Sequence, residues 1–185
     1  MDGLNFKYKV VKNFLTNYEC VILYNYARIR HLTNKTNFEN PKEHSVGSNT
    51  ADTYFYADPL METFLDLKRQ DVEKIVDKKL YPTYSYWRMY TYGATLPKHS
   101  DRPSCEISCT INISDNSDWP IYMDDKAFFL EKGDACIYKG CDVKHHRQAL
   151  ESNHQAQVFL HYVDAEGKNK DWKYDKRIRL GLGGD

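Results

Sequence analysis

The spacing of apolar positions changes once along this chain, from a helical period before about residue 80 to a period of two after it. Thr16-Asn17-Tyr18-Glu19 has the form of a capping box ahead of CVILYNYARIRHL, which predicts a helix over about residues 17–32. The polar stretch from Asn34 to Asp52, with Pro41 and Gly47, reads as a loop. Asp58 then stands as an N-cap with Pro59 at the first helical position. Leu60, Phe64, Leu65, Leu67, Val72, Ile75 and Val76 continue the period, predicting one long helix or two successive ones to about Lys79. A long apolar stripe of this kind is core, and these helices should buttress the outer face of a sheet.

From Tyr81 the pattern alternates. Tyr84 to Pro103 reads as a strand rich in Tyr and Trp, interrupted at Gly93 and turning through Pro97. Cys105, Ile107, Cys109, Ile111 and Ile113 alternate with Glu106, Ser108, Thr110 and Asn112, the pattern of a half-buried strand. Asp124-Asp125-Lys126 separates Pro120–Met123 from Ala127–Leu130. Glu131-Lys132-Gly133-Asp134 then turns the chain into Ala135–Tyr138, and Gln155–Asp164 is the last clear strand. Short strands with regular turn signals fit a sandwich or barrel. The expected class is therefore mainly β with N-terminal helices (α+β), organised as one domain: a helical buttress over 1–80, a β core over 81–164 and a tail over 165–185. The tail is charged, carries Trp172 and Tyr174, ends in GLGGD, and is expected to be flexible.

Composition narrows the function classes. With 185 residues, 41% hydrophobic and 28% charged, the chain can bury a substantial core, as soluble proteins do. Equal counts of 26 basic and 26 acidic residues argue against a nonspecific polyanion binder, so nucleic acid is not an expected partner. No stretch approaches the roughly 20 apolar residues of a membrane helix, and the N-terminus lacks a signal-peptide core; a cytoplasmic protein is expected. The five cysteines are odd in number and show no Cys-x-x-Cys spacing. Cys105, Cys109, Cys136 and Cys141 are expected to fill strand positions as small apolar groups.

The chemistry lies in two short stretches, His99-Ser100-Asp101 and Val143-Lys144-His145-His146-Arg147. In extended backbone, residues i and i+2 point to the same side, so His99 and Asp101 can reach one metal from a single strand end. Alternation groups Val143, His145 and Arg147 on one face and Lys144, His146 and Gln148 on the other, which selects His145 as the third ligand. Two imidazoles and a carboxylate form a facial triad with open coordination positions, whereas a structural zinc site is closed by four protein ligands.

The run RMYTYGATLPKHSDRPSCEISCTINIS, then WPIYM, GDACIYKGCDVKHHRQAL and QAQVFLHYVD, resembles the Fe(II)/2-oxoglutarate-dependent oxygenases of the prolyl 4-hydroxylase-like group over about Leu80 to Asp164. The resemblance implies a double-stranded β-helix, or jelly roll, with the metal between its two sheets, and His99, Asp101 and His145 as iron ligands. It implies hydroxylation of a C–H bond using Fe(II), O₂ and 2-oxoglutarate, which leaves as succinate and CO₂. A protein or peptide side chain, prolyl among them, is the first substrate class implied, and a small molecule the second. Trp87, Trp119, Tyr122 and the segment from Asn34 to Tyr56 are candidates for a substrate mouth.

One departure from the family pattern is that Gln155 stands where a Lys or Arg should pair with the far carboxylate of 2-oxoglutarate. A buried carboxylate needs a charge partner. Arg147, one pleat beyond His145, is the candidate, with Arg88 and Arg102 in reserve and Tyr90 and Tyr92 as hydroxyl donors. The missing charge also motivates a reading as an inactive jelly-roll binding module. A zinc-dependent hydrolase on the same trio is a third reading, against which stands the lack of a His-Glu-x-x-His helix.

Overall fold

The computed structural model describes residues 6–37 and 51–182. The chain runs β1 (Tyr8–Val11), α1 (Asn17–Asn37), β2 (Thr53–Tyr56), α2 (Pro59–Val76), β3 (Leu80–Thr91) and β4 (Leu96–His99). A 3₁₀ turn, Pro103–Cys105, leads to β5 (Ile107–Asn112), β6 (Ile121–Met123), β7 (Lys126–Phe128), β8 (Ala135–Lys139), β9 (His145–Arg147) and β10 (His154–Asp164), and a kinked 3₁₀ segment, Lys170–Lys176, follows.

Both helices start where their caps stand. The Thr16 hydroxyl accepts from Glu19 N–H at 3.2 Å while the Glu19 carboxylate accepts from Thr16 N–H at 2.7 Å, the reciprocal bonds of a capping box. Asp58 accepts from the N–H groups of Leu60 and Met61. Helix α2 is a single helix, stopped at Asp77, whose left-handed φ of 53° turns the chain toward β3. Helix α1 outlasts its expected end and takes in residues 34–37; the rest of the expected loop, 38–50, lies outside the described residues.

The strands form two antiparallel sheets, ordered β1-β8-β5-β10-β3-β2 and β4-β9-β6-β7. From β3 onward the chain crosses from the larger sheet to the smaller and back again, so every strand from β3 on except the edge strand β7 pairs with one distant in sequence. This is a double-stranded β-helix. The hairpin between β6 and β7 turns on Asp124 and Asp125, both at positive φ (46° and 67°), the conformation of a two-residue type I′ turn.

Register decides which side chains look inward. Along β3, Tyr84, Tyr86, Arg88 and Tyr90 face the space between the sheets, while Trp87 and Met89 pack outward against Leu23 of α1 and Leu65 and Val72 of α2 in the main core. Phe159, Gln157 and Gln155 of β10 pair with Tyr86, Arg88 and Tyr90. Thr110 and Asn112 of β5 pair in turn with Phe159 and Gln157. Strand β5 is therefore not half-solvated: all six residues are buried, because helices cover one face of the sheet and the second sheet covers the other. Its polar positions are the interior of the jelly roll.

Two strands are added to those expected, and two further expectations change. The edge strands β1 and β2 lie in segments without clear alternation and pair along only one side, with β8 and β3. The tail is not loose through residue 182: Lys173 sits over the Tyr81 ring at 4.6 Å, and Arg177 binds Glu62 and the Thr83 carbonyl. Residues 183–185 of GLGGD lie outside the described residues. Cys105 and Cys141 sit in turns, while Cys109 and Cys136 occupy buried strand positions. Among the described residues no helix is long and apolar enough to cross a membrane.

Candidate metal centre

His99 ends β4 and His145 begins β9, and these strands are neighbours with the two histidines directly paired. Asp101 follows two residues after His99, its N–H held by the Gly140 carbonyl at 2.8 Å. Asp101 Oδ1 lies 3.6 Å from His99 Nε2 and 3.5 Å from His145 Nε2. The other ring nitrogens are fixed by carbonyls: His99 Nδ1 donates to Pro97 at 2.8 Å and His145 Nδ1 to Val143 at 3.1 Å. A carbonyl can only accept, so both rings carry the proton on Nδ1 and turn the Nε2 lone pair toward Asp101 Oδ1. Three lone-pair donors thus face one point, which fits a divalent cation held by two imidazoles and a carboxylate.

The carboxylate is braced from behind. Ser108 Oγ on β5 lies 3.1 Å from Asp101 Oδ2 and 2.9 Å from His161 Nδ1 on β10. The carboxylate is the strongest acceptor in reach, so it takes the Ser108 proton while His161 donates to the Ser108 oxygen. Burial pushes the His161 imidazole down to about 4, which leaves it neutral at physiological pH. Burial pushes the Asp101 carboxyl up, but when the His145 and His99 imidazoles are charged and donate through Nε2–H they outweigh it and hold it below the usual carboxylate range; the neutral rings that a metal requires present lone pairs instead. Gly140 makes the close packing feasible, since a Cβ there would collide with the Cys105 carbonyl oxygen and Asp101 Oδ2. Ser108, His161 and Gly140 escape a reading of the sequence, because nothing local marks them and strand pairing alone joins them to Asp101.

His146 occupies the opposite face of β9, half-buried and stacked on Tyr122 with ring centroids 4.7 Å apart. It takes no part in the cluster, as the alternation predicts.

These three side chains open onto a cavity of about 510 Å³ between the sheets, walled by Tyr84, Tyr86, Arg88, Tyr90, Tyr138 and Phe159 among others. Of the two expected tyrosine donors, Tyr90 is on this wall and buried, whereas Tyr92 is 67% exposed and does not line it. Past Thr91 the strand leaves the sheet and Tyr92 turns to the surface. The mouth candidates also move. Trp87 is fully buried under the helices, Trp119 packs edge-on against Tyr90, and Tyr122 stacks on His146; none lines the cavity. In the fourth candidate segment, Tyr54 and Tyr56 of β2 stack on Tyr86 and Tyr84 of the wall.

Three arginines lie near this interior, in different states. Arg88, on the wall, is tied through Nε and Nη2 to the buried Asp52 carboxylate. Arg102, also on the wall, pairs with Asp175 at 2.6 Å. Arg147 is fully buried behind the wall, beside Leu96 in register. Its guanidinium lies 4.6 Å from the Trp119 ring centre, and Nη1 donates to the Trp119 carbonyl at 2.7 Å. Its Nε and Nη2 have no partner among the described residues, and burial without a carboxylate pushes its pKa down to about 10. Thr110 Oγ1, Gln155 Oε1 and Gln157 Oε1 are likewise buried without partners. A guanidinium with two unpaired donor nitrogens fits an anionic group with oxygen acceptors, whereas the two glutamine oxygens are themselves acceptors and would need a donor.

No protein-family model matches the sequence, and no curated protein matches it. Solved structures do resemble the fold. The non-haem α-ketoglutarate-dependent epimerase SnoN from nogalamycin biosynthesis aligns with a TM-score of 0.69 at 13% identity, over 86% of this chain and 78% of its own. A Pseudomonas putida prolyl-4-hydroxylase aligns with a TM-score of 0.63 at 14% identity, over 85% and 92%. The viral collagen prolyl hydroxylase of Paramecium bursaria Chlorella virus-1, solved with 2-oxoglutarate, gives 0.62 at 13%, over 85% and 96%. By its fold, this chain is a double-stranded β-helix of the kind found in the Fe(II)/2-oxoglutarate oxygenases.

Proposed function

We propose that the protein is an Fe(II)/2-oxoglutarate-dependent dioxygenase that hydroxylates a C–H bond. The observation that carries this reading is the convergence of His99 Nε2, His145 Nε2 and Asp101 Oδ1 on one point at the wall of a largely aromatic cavity. Bound there, Fe(II) with 2-oxoglutarate and O₂ would supply the oxidising chemistry, with succinate and CO₂ as the co-products. The chain's own part is geometric and electrostatic. His99, Asp101 and His145 hold the metal from one side, and the carbonyls of Pro97 and Val143 keep the imidazole tautomers that allow it. Arg147 supplies the positive charge for the far carboxylate of 2-oxoglutarate, with Tyr90, which lies within the influence of both Arg88 and Arg147, as the hydroxyl donor. The aromatic walls exclude water and confine the substrate.

For the substrate class we carry over the peptide or protein side chain, prolyl included, that the sequence resemblance implies, with a small molecule as the alternative. The fold neighbours include both prolyl hydroxylases and an epimerase from nogalamycin biosynthesis. Anaerobic addition of Fe(II) and 2-oxoglutarate should produce a weak visible charge-transfer band, and admission of O₂ should release succinate. A protein that binds the metal but yields neither band nor succinate is instead the binding module that Gln155 and Gln157 favour, both standing uncharged on the inner face of β10. Arg147→Gln should weaken 2-oxoglutarate binding about ten- to a hundredfold with metal affinity retained. Unchanged affinity would transfer the role to Arg88.

A further inference from the structure

Arg102 is the residue after the Asp101 ligand, it lines the metal cavity, and its side chain is 46% exposed. Its guanidinium lies over the Tyr84 ring at 4.7 Å, and Nη2 donates to Asp175 Oδ2 at 2.6 Å. The same carboxylate oxygen accepts from the Tyr56 hydroxyl at 2.6 Å, and Tyr56 in turn packs on Tyr84. Asp175 comes from the tail, 73 residues further along the chain, and its side chain is only 6% exposed. A carboxylate is thus already seated at the cavity's edge, held by an arginine and a tyrosine, while its buried Oδ1 makes no close hydrogen bond among the described residues.

The backbone that delivers this carboxylate is strained. Tyr174, Asp175 and Lys176 stand at φ of 54°, 55° and 65°, three successive non-glycine residues in the left-handed region. Each such residue carries an energetic cost and persists only where its surroundings impose it. Two residues on, Arg177 fastens the tail to the body of the protein through Glu62 and the Thr83 carbonyl, while its Nε also donates to the Tyr174 carbonyl at 2.8 Å. Asp175 can therefore leave Arg102 with relief of backbone strain while the tail stays tethered at Arg177. The other wall arginine, Arg88, is tied to Asp52, a buried partner on the β2 side.

We infer that Arg102, with the Tyr56 hydroxyl, is the recognition site for a carboxylate on the prime substrate, and that Asp175 is a built-in competitor which that carboxylate displaces. The site belongs to the substrate, so the inference rests on the oxygenase reading. The class of ligand follows from the surroundings: a carboxylate carried on an apolar or aromatic body that can lie against Tyr84 and Tyr86. A free carboxylic acid and an acidic group on a peptide share this chemistry.

The test uses the full-length protein loaded with Mn(II) and 2-oxoglutarate, so that the inner anion site is filled. The probes are 3-phenylpropionate, its primary amide, and a short peptide of Phe with a C-terminal carboxylate, each titrated by calorimetry. Asp175→Asn should tighten binding of the carboxylates about tenfold over the parent protein, and Arg102→Gln should remove binding, with the amide indifferent to both. Tyr56→Phe removes a donor from the site itself and should weaken carboxylate binding in the Asp175→Asn background. In the parent protein the carboxylates, but not the amide, should speed tryptic cleavage after Lys173 or Lys176. A preference between acid and peptide names the source. Carboxylate binding that is equal in parent and Asp175→Asn, or that survives Arg102→Gln, overturns the inference. Failure of Mn(II) and 2-oxoglutarate to bind overturns the oxygenase reading instead, while the proteolysis comparison still reports on Arg102 and Asp175.

Discussion

Each imidazole at the candidate metal centre is oriented by a backbone carbonyl two residues before it, and the carboxylate by a serine from another strand. The two kinds of support fail differently. His99→Ala or His145→Ala should abolish tight metal binding, measured calorimetrically with Mn(II) or anaerobic Fe(II), whereas His146→Ala, on the outer face of β9, should retain it. Equal losses in all three would contradict the assignment. Ser108→Ala leaves the ligands in place but frees Asp101 Oδ2, so metal affinity should fall about ten- to a hundredfold with little change in fold. Gly140→Ala should cost more than Ser108→Ala, because its methyl group meets a backbone oxygen that cannot rotate away.

At the scale of elements, the helices depend on a few carboxylates at their ends. Asp58 caps α2 and also accepts from the Tyr26 hydroxyl of α1 at 2.7 Å, so Asp58→Ala should cost about 1–2 kcal/mol, read from the urea midpoint. At the other end, Glu73 accepts from Leu80 N–H at 3.0 Å and pairs with Arg69 and Lys79, tying the end of α2 to the start of β3. Burial raises its pKa, but the Leu80 N–H and the Lys79 ammonium outweigh that and leave it below the ordinary value of 4.5. A carboxyl depressed in the folded state contributes stability above its unfolded pKa and loses that contribution as the pH falls through its folded pKa. The difference in unfolding midpoint between the parent and Glu73→Gln should therefore be largest at neutral pH and shrink through the acid limb. A constant difference would show that the charge does not matter.

For the whole molecule, one sheet serves two masters. Its outer face is the core under α1 and α2, and its inner face is the wall of the cavity. Trp87 on the outer face is completely buried and stacks on Phe55, so Trp87→Ala should destabilise by about 3–5 kcal/mol in denaturant unfolding. The neighbouring Tyr86 faces the cavity. Truncating it should move ligand affinity more than stability, because the helical core is untouched. If both substitutions changed stability alike, the division of the sheet into a structural and a functional face would be wrong.

Much of this was legible along the chain because it depends on short-range geometry. Capping residues bond to backbone within three positions, so both helix starts could be read directly. Period-two alternation separates His145 from His146 and puts His99 on the side of Asp101, so the three members of the candidate cluster follow from local backbone shape. The tertiary structure decided whatever depends on pairing between distant segments. Ser108 and His161 meet across 53 residues because β5 and β10 are adjacent, and the polar face of β5 became interior once a second sheet covered it. The edge strands β1 and β2 exist through their partners, not through their own pattern. Tyr92 and Trp87 left the site because a strand's end and a sheet's outer face are properties of packing. The tail, which looks like solvated chain, lies on the sheet because Arg102 and Glu62 offer charges that its Asp175 and Arg177 complement. Sequence alone sets local conformation through sterics and hydrogen bonds within a few residues; contacts between segments far apart in the chain repay their loop-closure entropy only once the whole fold has formed.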